Sequence, residues 1–392
     1  MRRSDFEHGG GGSVRVVAVR EIDALTGLRG LAAVAVVFAH AENAAGVDRW
    51  MPGQPFVDLF FALSGFVIAY VYLRSDKIDW QGYAVARFAR IYPLHIATAA
   101  AMAGAGILFA TIQGGPLPGY VSLSQIIREV TLTMAMPVAG SEWIMNGPAW
   151  SISVEWWVYF LIFPPLALIH RRIGLSASVL GFGTLALALV VAIYSLPPEH
   201  QVTRGWVAFL RAAVGFIGGW VAYRVFARGW APSGRVADLV AIATLVGLFA
   251  APALVDDHAF FLILIYPILI WALAGTNSTA GALCSARPVM WLGALSYSIY
   301  LIHPLVLKLL GAVDTLIVPI EGRLAWVSLT IGLTLIAGMI SYRYLELPAR
   351  AKLRSIRLPE GRGPMGALSP SRLGYLASVV AVSTGVVVAA EL

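Results

Sequence analysis

The sequence predicts an all-α, polytopic membrane protein with about ten transmembrane helices. Hydrophobic residues make up 59% of the 392 residues and charged residues only 12%, whereas a soluble domain carries about 25% charge. Apolar stretches close to ~20 residues, the length that a bilayer requires, recur along the whole chain. No ordinary core could bury this much apolar surface, so lipid must be part of the solvent.

Each apolar stretch in turn predicts one helix, and the spacing between stretches leaves room only for short loops. The ten predicted helices cover residues 25–43, 56–73, 92–112, 148–168, 175–195, 205–224, 236–254, 259–275, 289–310 and 324–344. A further apolar run, 374–390, is the candidate for an eleventh span. Residues 121–137 predict a short interfacial helix outside the membrane.

The chain divides into three predicted parts. Residues 1–21 form a polar, Gly-rich cytoplasmic tail, 22–350 a membrane domain, and 351–392 a basic cytoplasmic segment that includes the possible extra helix. We expect no cleavable signal peptide, because the first apolar run opens a series of others and no small-residue cleavage site follows it. No internal repeat is visible.

Lysine and arginine predict the orientation. With the N-terminus in the cytoplasm, about 21 of these residues fall on the inner side and about 4 on the outer side, as the positive-inside rule requires. The net charge of +7 is therefore explained by inner loops facing the bilayer surface, and no nucleic-acid partner is expected. The same pattern predicts a multi-pass protein whose basic loops face the cytoplasm.

The first helix holds two ionisable residues on one face. Arg29 and His40 are eleven residues apart, which leaves them ~20° apart around the helix and ~16 Å apart along it. This puts Arg29 near the cytoplasmic entrance and His40 in the outer half of the membrane. An ionisable group at such depth indicates function; the alternative is a snorkelling arginine and a histidine that hydrogen-bonds a neighbouring helix.

Four other helices carry ionisable residues at a similar depth. Asp58, Glu155, Arg211 and His303 are predicted to converge with His40. The alternative is a set of interhelical hydrogen bonds and ion pairs that holds the bundle together. Along the fourth predicted helix, the residues close to one face are Trp150, Ser151, Glu155 and Tyr159.

A basic group lies at the cytoplasmic mouth. Arg87 and Arg90, with Arg29, suit a polyphosphate ligand because guanidinium forks onto phosphate oxygens; the alternative is plain positive-inside topology. Glu346 ends the tenth helix on the same side, and pairing with one of these arginines is a natural structural role for it.

Several chemistries are excluded by missing motifs. There is no Walker loop, no GxSxG elbow, no HExxH and no Cys pair, so no metal site is expected. The single cysteine, Cys284, excludes a disulfide framework and lacks a basic neighbour that would make it a nucleophile. Ser64 and the glycines Gly215, Gly218 and Gly219 are interpreted as helix packing.

Five segments in a fixed order resemble a known family. LTGLRGLAAVAVVFAH, FVDLFFALSGFVI, ARFARIYPLH, PAWSISVEWWVYFLIFP and LGALSYSIYLIHP, closed by SYRYLELPAR, are similar to segments of the membrane-bound acyltransferase-3 family. That family O-acylates bacterial surface polysaccharides and some antibiotics. The resemblance covers roughly residues 22–350. One departure is Thr26, where the family often has an aspartate; Asp23 is nearby but lies on a different face.

The resemblance implies a mechanism. Acyl-CoA, as a co-substrate and without a permanently bound cofactor, would bind its phosphates at Arg29, Arg87 and Arg90. His40 would act as general base on an acceptor hydroxyl, or form an acyl-histidine, with Asp58 or Glu155 orienting its ring. Oxyanion or sugar binding would fall to residues on the ninth and sixth predicted helices: Tyr297, Tyr300, His303 and Arg211.

The expected activity is transfer of an acyl group, acetyl first, to an extracytoplasmic glycan or lipid-linked sugar, with polysaccharide-assembly proteins as possible partners. Two alternatives stay open. A secondary transporter or flippase of a polysaccharide precursor would use Asp58, Glu155 and His303 as a proton relay, and a non-enzymatic partner of an export complex would not need His40. The sequence does not name the acceptor or the acyl chain.

Overall fold

The structure, a computed structural model, describes residues 21–46, 51–137, 144–196, 202–254 and 259–355. All regular elements in these ranges are helices. The α-helices are α1 (Asp23–Ala44), α2 (Gln54–Tyr72), α3 (Trp80–Gln113), α4 (Leu123–Thr131), α5 (Trp150–Leu161), α6 (Phe163–Ile169), α7 (Leu175–Tyr194), α8 (Gly205–Phe226), α9 (Gly234–Leu254), α10 (Tyr266–Gly275), α11 (Thr279–Cys284), α12 (Arg287–Leu316), α13 (Arg323–Ser341) and α14 (Leu347–Ser355).

The predicted fold class is confirmed. Eight helical segments in the described part of the chain are long and apolar enough to cross a membrane, so the chain is an all-α, multi-pass membrane protein. Each of the ten predicted helices has a helical counterpart, but the count of about ten spans stays a prediction. The candidate eleventh span, 374–390, and most of the two terminal parts lie outside the described residues.

The start of α3 was predicted wrongly. The helix begins at Trp80, where the Asp79 side chain caps it by accepting a hydrogen bond from the Gly82 N–H at 2.9 Å, and not near residue 92. Pro93, which suits the first turn of a helix, lies in the interior of α3. Proline is tolerated there because neighbouring helices in a membrane protein support the freed backbone groups.

Other helix ends deviate from prediction where proline or a changed helical pitch occurs. The predicted helix 148–168 is a 3₁₀ turn followed by α5 and α6, and the predicted helix 259–275 begins as a 3₁₀ turn at Phe260–Leu264 before α10. The interfacial prediction at 121–137 corresponds to α4. After α13 the chain continues as a π-helical segment, Tyr342–Glu346, a distortion that often marks functional sites.

Two close helix pairs form the centre of the bundle: α1 packs along α12, and α2 along α8. Glycine permits both approaches. A Cβ at Gly30 would collide with the Gly293 backbone of α12, and one at Gly219 with the Ala62 carbonyl of α2. The packing role predicted for Gly215, Gly218 and Gly219 is confirmed, because a side chain at any of them would clash with a neighbouring helix.

Candidate active site

Two cavities open beside α1, and each has a volume of about 360 Å³. The arginine cavity is lined by Glu21, Arg29, Ser64, Arg87, Arg90, Glu155, Tyr159, Tyr297, Tyr300, Tyr342, Arg350 and Arg354 together with apolar side chains. The histidine cavity is lined by Ala39, His40, Asn43, Gly53, Gln54, Val57, Gly147, Pro148, Trp150, Thr203 and Tyr300. Val57 and Tyr300 border both, so they form the wall between the cavities.

The predicted arginine cluster is brought together by the fold. Arg29, from α1, and Arg87 and Arg90, from the first turns of α3, line the same cavity. Arg90 lies 4.9 Å from the centroid of the Tyr297 ring and 3.4 Å from Glu346. The predicted pairing of Glu346 with one of these arginines is therefore confirmed.

Glu346 pairs with two arginines of the arginine cavity, Arg90 and Arg350. It is buried and accepts hydrogen bonds from Ser298 and Arg350 in addition to Arg90. The π-helical segment that carries it also carries Tyr342, a wall residue of the arginine cavity. Thr26, which replaces the acid usual in the family, donates a hydrogen bond to Glu21 at 2.7 Å. Glu21 therefore supplies a carboxylate next to this position, and it lines the arginine cavity.

Glu155 belongs to the arginine cavity. Its Oε1 accepts hydrogen bonds from Ser64 and, at 2.6 Å, from the Tyr159 hydroxyl. Ser64 therefore lines a cavity as well as packing between helices, which the sequence interpretation did not foresee. A single serine without a local motif gives no signal by itself; its polar partner lies on another helix.

His40 lines the histidine cavity. Its Nδ1 lies 2.8 Å from the Val36 carbonyl oxygen, one turn earlier in α1. Because a carbonyl can only accept, Nδ1 carries the proton of the neutral ring and Nε2 keeps its lone pair. The His40 ring contacts that of His303, with centroids 4.9 Å apart.

His303 repeats this arrangement in a buried setting. Its Nδ1 is 3.3 Å from the Ile299 carbonyl oxygen, and its Nε2 has no hydrogen-bond partner among the described residues. Of the five ionisable residues predicted to converge, His40 and His303 are therefore in direct ring contact.

Asp58 lies in a buried ion pair. Its Oδ1 is 3.0 Å from Arg211 Nη2 and 3.1 Å from Nε, and both side chains are almost completely buried. The five ionisable residues expected to converge therefore fall into three groups: His40 with His303, Asp58 with Arg211, and Glu155 with Ser64 and Tyr159. Only His40 among them lines the histidine cavity.

Tyr300 links the walls of both cavities to the start of α5. Its hydroxyl lies 2.9 Å from Ser151 Oγ and donates to the Pro148 carbonyl at 3.0 Å. Tyr297, by contrast, donates to the Ile91 carbonyl at 2.6 Å and lines only the arginine cavity.

Sequence reasoning missed several wall residues. Gln54, Asn43 and Thr203 of the histidine cavity and Arg350 and Arg354 of the arginine cavity were not singled out. Uncharged amides and hydroxyls near helix ends are ordinary there, and the two arginines were counted as positive-inside residues. Only their common position at a cavity distinguishes them.

The family profile of the acyltransferase domain matches residues 22–343, most of the predicted membrane domain. The chain belongs to the acyltransferase-3 family. It is an O-acyltransferase, and the recognition made on the five sequence segments is confirmed.

The chain is also similar to two bacterial proteins, one of them named an acyltransferase. Over 182 residues the chain is 34% identical to protein 2 in the picA locus of Rhizobium radiobacter, covering 43% of this chain and 92% of that protein. It is 26% identical to the acyltransferase MdmB of Streptomyces mycarofaciens, covering 74% of this chain and 80% of the relative.

A longer relative is the peptidoglycan O-acetyltransferase OatA of Listeria monocytogenes, to which the chain is 24% identical over 84% of its length. The match spans only 56% of OatA. No solved structure matches the chain.

Proposed function

We propose that this acyltransferase moves an acyl group, acetyl first, from cytoplasmic acyl-CoA to a hydroxyl of an extracytoplasmic glycan or lipid-linked sugar. The observation that carries the proposal is the pair of cavities beside α1. One is lined by arginines and the other by His40, and the two share a wall.

The arginine cavity suits the phosphates of acyl-CoA. Its five arginines outnumber its two carboxylates, Glu21 and Glu155, and Arg29 donates no hydrogen bond to a described residue, so an anionic ligand would gain charge-assisted contacts there. From Arg29 to His40 the axis of α1 advances ~16 Å. The narrow pantetheine arm of CoA would follow this direction and bring the thioester to the wall formed by Val57 and Tyr300.

His40 Nε2 would remove the proton of the acceptor hydroxyl while that oxygen attacks the thioester carbonyl carbon. The C–O bond forms, the C–S bond breaks, and the departing thiolate takes the proton from His40 as free CoA. An acyl-histidine intermediate would use the same lone pair as nucleophile. In either route the Val36 carbonyl keeps the productive tautomer.

The proposed orientation follows from charge and from the two cavities together. The N-terminus lies in the cytoplasm, the arginine cavity opens to that side of a bacterial inner membrane, and the histidine cavity opens to the outside. A polysaccharide-assembly protein would deliver the acceptor there. The family relatives named for O-acetylation support acetyl as the first acyl group to test.

The test is acetyl transfer from radiolabelled acetyl-CoA into envelope glycan by membranes with native protein or His40→Ala at equal expression. We expect the variant to lose about 10²- to 10⁴-fold of the rate, the usual contribution of a positioned base. His170→Ala is the matched control, because this half-buried histidine stacks on Tyr223 and lines neither cavity.

Three results are distinct. Label that depends on the native protein and is lost only in His40→Ala supports the proposal. Label that persists in His40→Ala keeps the acyltransferase but removes His40 as its base. No label with acetyl or longer acyl donors, with acceptor shown to be present, contradicts transfer from acyl-CoA and favours a transport role.

A further inference from the structure

Arg211 of α8 makes an unusual number of contacts for a buried cation. Besides Asp58, its Nη1 donates to the Val202 carbonyl at 2.8 Å and its Nη2 to Gln54 Oε1 at 3.1 Å. Its guanidinium also lies 5.1 Å from the centroid of the Trp150 ring and 4.7 Å from that of the Phe260 ring. The cation is therefore compensated by a carboxylate and also contacts four segments of the chain.

Three of these four segments contribute to the histidine cavity. Gln54 opens α2, Trp150 opens α5, and Thr203 follows Val202 in the loop before α8; each lines the cavity directly. Arg211 itself stands behind the wall and not in it. A single planar guanidinium with its fixed fork of donors thus sets the relative positions of three wall pieces that come from distant parts of the sequence.

The contact with Arg211 also fixes the chemistry that Gln54 offers. An amide has one oxygen that accepts and one nitrogen that donates. Because Oε1 receives the hydrogen bond from Arg211, the NH₂ group is the end left for a ligand. The orientation is dictated by the partner, since a guanidinium has no acceptor.

The remaining lining combines apolar residues with uncharged polar groups. It offers the Asn43 amide, the Thr203 and Tyr300 hydroxyls and the Trp150 ring, and no Asp, Glu, Lys or Arg side chain lines the cavity among the described residues. An anionic ligand would lose its hydration there without gaining a counter-charge. A sugar with hydroxyl donors and acceptors and apolar C–H faces fits amides, hydroxyls and an aromatic ring.

We propose that the histidine cavity is a subsite for an uncharged sugar residue of the acceptor, and that Asp58 and Arg211 are the positioning pair that shapes it. This inference rests on the proposed acyl transfer, and it names the substrate class that the His40 side accepts. Asp58 acts through Arg211 on the walls of the subsite, and Arg211 does not touch the substrate.

The first test replaces Arg211 by lysine in the purified full-length chain in lipid nanodiscs. Arg211→Lys keeps a cation for Asp58, but one ammonium group cannot hold three wall segments. With radiolabelled acetyl-CoA and methyl β-D-glucopyranoside as the probe, we expect the acceptor KM to rise at least ~10-fold, equivalent to about 1.4 kcal/mol. The KM for acetyl-CoA should stay within about 2-fold, as expected for a site not touched.

Arg224→Lys is the matched control. Arg224 lies on the same helix, is buried, donates to Ser178 and to the Ile173 carbonyl, and packs against Trp220, but it lines neither cavity. It should lower thermal stability without separating the two KM values. If Arg211→Lys and Arg224→Lys change the two KM values alike, Arg211 has only a structural role and the positioning proposal fails.

A second variant covers the case in which Arg211→Lys does not fold. Gln54→Glu keeps the size and the oxygen that accepts from Arg211, but replaces the NH₂ donor by a charged oxygen. We expect a higher acceptor KM with unchanged acetyl-CoA KM. An unchanged acceptor KM in a folded Gln54→Glu variant would contradict a role for Gln54 in the subsite.

The charge of the sugar is tested with two matched probes that differ only at C6. Methyl β-D-glucopyranoside should compete with envelope glycan for acetylation at least ~10-fold better than methyl β-D-glucuronide, because the uronate must enter uncompensated. Equal or better competition by the glucuronide, or no competition by either while glycan is labelled, overturns the subsite proposal alone. Absence of labelling in native membranes would instead overturn the proposed function.

Discussion

The arginine and histidine cavities have the same volume and share the wall of Val57 and Tyr300, yet they treat charge in opposite ways. Five arginines line the first: Arg29, Arg87, Arg90, Arg350 and Arg354. The second has no Lys, Arg, Asp or Glu in its described lining, and its nearby cation, Arg211, is withdrawn behind the wall and paired with Asp58.

The difference lies in how each cation is compensated. Arg29 faces the arginine cavity without a described hydrogen-bond acceptor, whereas Arg211 is surrounded by a carboxylate, a carbonyl and an amide oxygen. A buried charge needs such partners to be stable, so a cation whose hydrogen bonds are all made within the protein has a structural role. A cation that faces a cavity and is repelled by its neighbour is available for an anionic ligand.

The variant with the largest expected effect removes Arg29, the cation without a described hydrogen-bond acceptor. Arg29→Ala should raise the KM for acyl-CoA about 10- to 100-fold, since a charge-assisted hydrogen bond contributes about 1.5–3 kcal/mol, and should leave the acceptor KM unchanged. The measurement is acetyl-transfer kinetics with each substrate varied in turn, together with thermal stabilisation by free CoA.

Arg172→Ala serves as its control, because Arg172 is exposed and lies outside both cavities. Two results would contradict the binding role: a rise in the acceptor KM for Arg29→Ala, or an equal change in the KM for acyl-CoA in both variants. The arginines of the cavity would then act only in setting the membrane orientation.

The shared wall gives a second, smaller effect. Tyr300→Phe keeps the ring but removes the hydroxyl that binds Ser151 and the Pro148 carbonyl, at about 1 kcal/mol of stability. With the wall loosened, water from the histidine cavity should reach the thioester, so acceptor-independent hydrolysis of acyl-CoA should increase several-fold.

Free-CoA release without acceptor, followed with a thiol reagent, measures this hydrolysis. Tyr297→Phe is the matched control, because its hydroxyl binds Ile91 and its ring borders only the arginine cavity. If both variants hydrolyse acyl-CoA at the native rate, the two cavities are not separated by the Tyr300 contact.

A third effect concerns the pH dependence of stability next to the histidine cavity. Burial raises the pKa of Glu129 from its ordinary value of 4.5 to about 7. Glu129 accepts a hydrogen bond from the Met145 N–H at 2.8 Å, just before Gly147 and Pro148 of the histidine cavity. Because the folded state holds this proton more tightly than the unfolded state, the contribution of Glu129 to stability should fall as pH rises from about 4.5 to about 7 and then level off.

The expected difference across that window is on the order of 3 kcal/mol. Thermal unfolding of the nanodisc-embedded native protein and of Glu129→Gln between pH 4.5 and 8 measures it as the difference between the two profiles, because His95, 3.5 Å from Glu129, also contributes to the native profile. A native-minus-variant difference that stays constant across this window would show that Glu129 is not the titrating group.

Much of the fold could be predicted from the sequence because the signals for it are local. These signals are the twenty-residue apolar runs, the uneven distribution of lysine and arginine between loops, and the eleven-residue spacing of Arg29 and His40. None of them depends on knowing which helices are neighbours. The start of α3 was predicted wrongly because Pro93 is compatible with both the first turn and a supported interior position, and only the surrounding helices choose between them.

The sequence predicted which residues belong to the candidate site, but not which of them pair with each other. Glu155 and Asp58 were both expected near His40; instead one binds Ser64 and Tyr159 and the other binds Arg211. Which polar groups meet depends on which helices are neighbours and on the rotation of each about its axis, and side-chain periodicity within one helix does not contain that information.

By itself, the sequence determined that this is a multi-pass helical membrane protein of the acyltransferase-3 family with Arg29 and His40 on one face of the first helix. The tertiary structure decided that these two residues line separate cavities, that Arg211 connects wall segments of one cavity, and that Tyr300 lies between the two. The physical reason is that hydropathy and helical period act along the chain, whereas cavities are made where close-packed helices meet, and that packing is set by contacts such as Gly30 against Gly293 and Gly219 against Ala62.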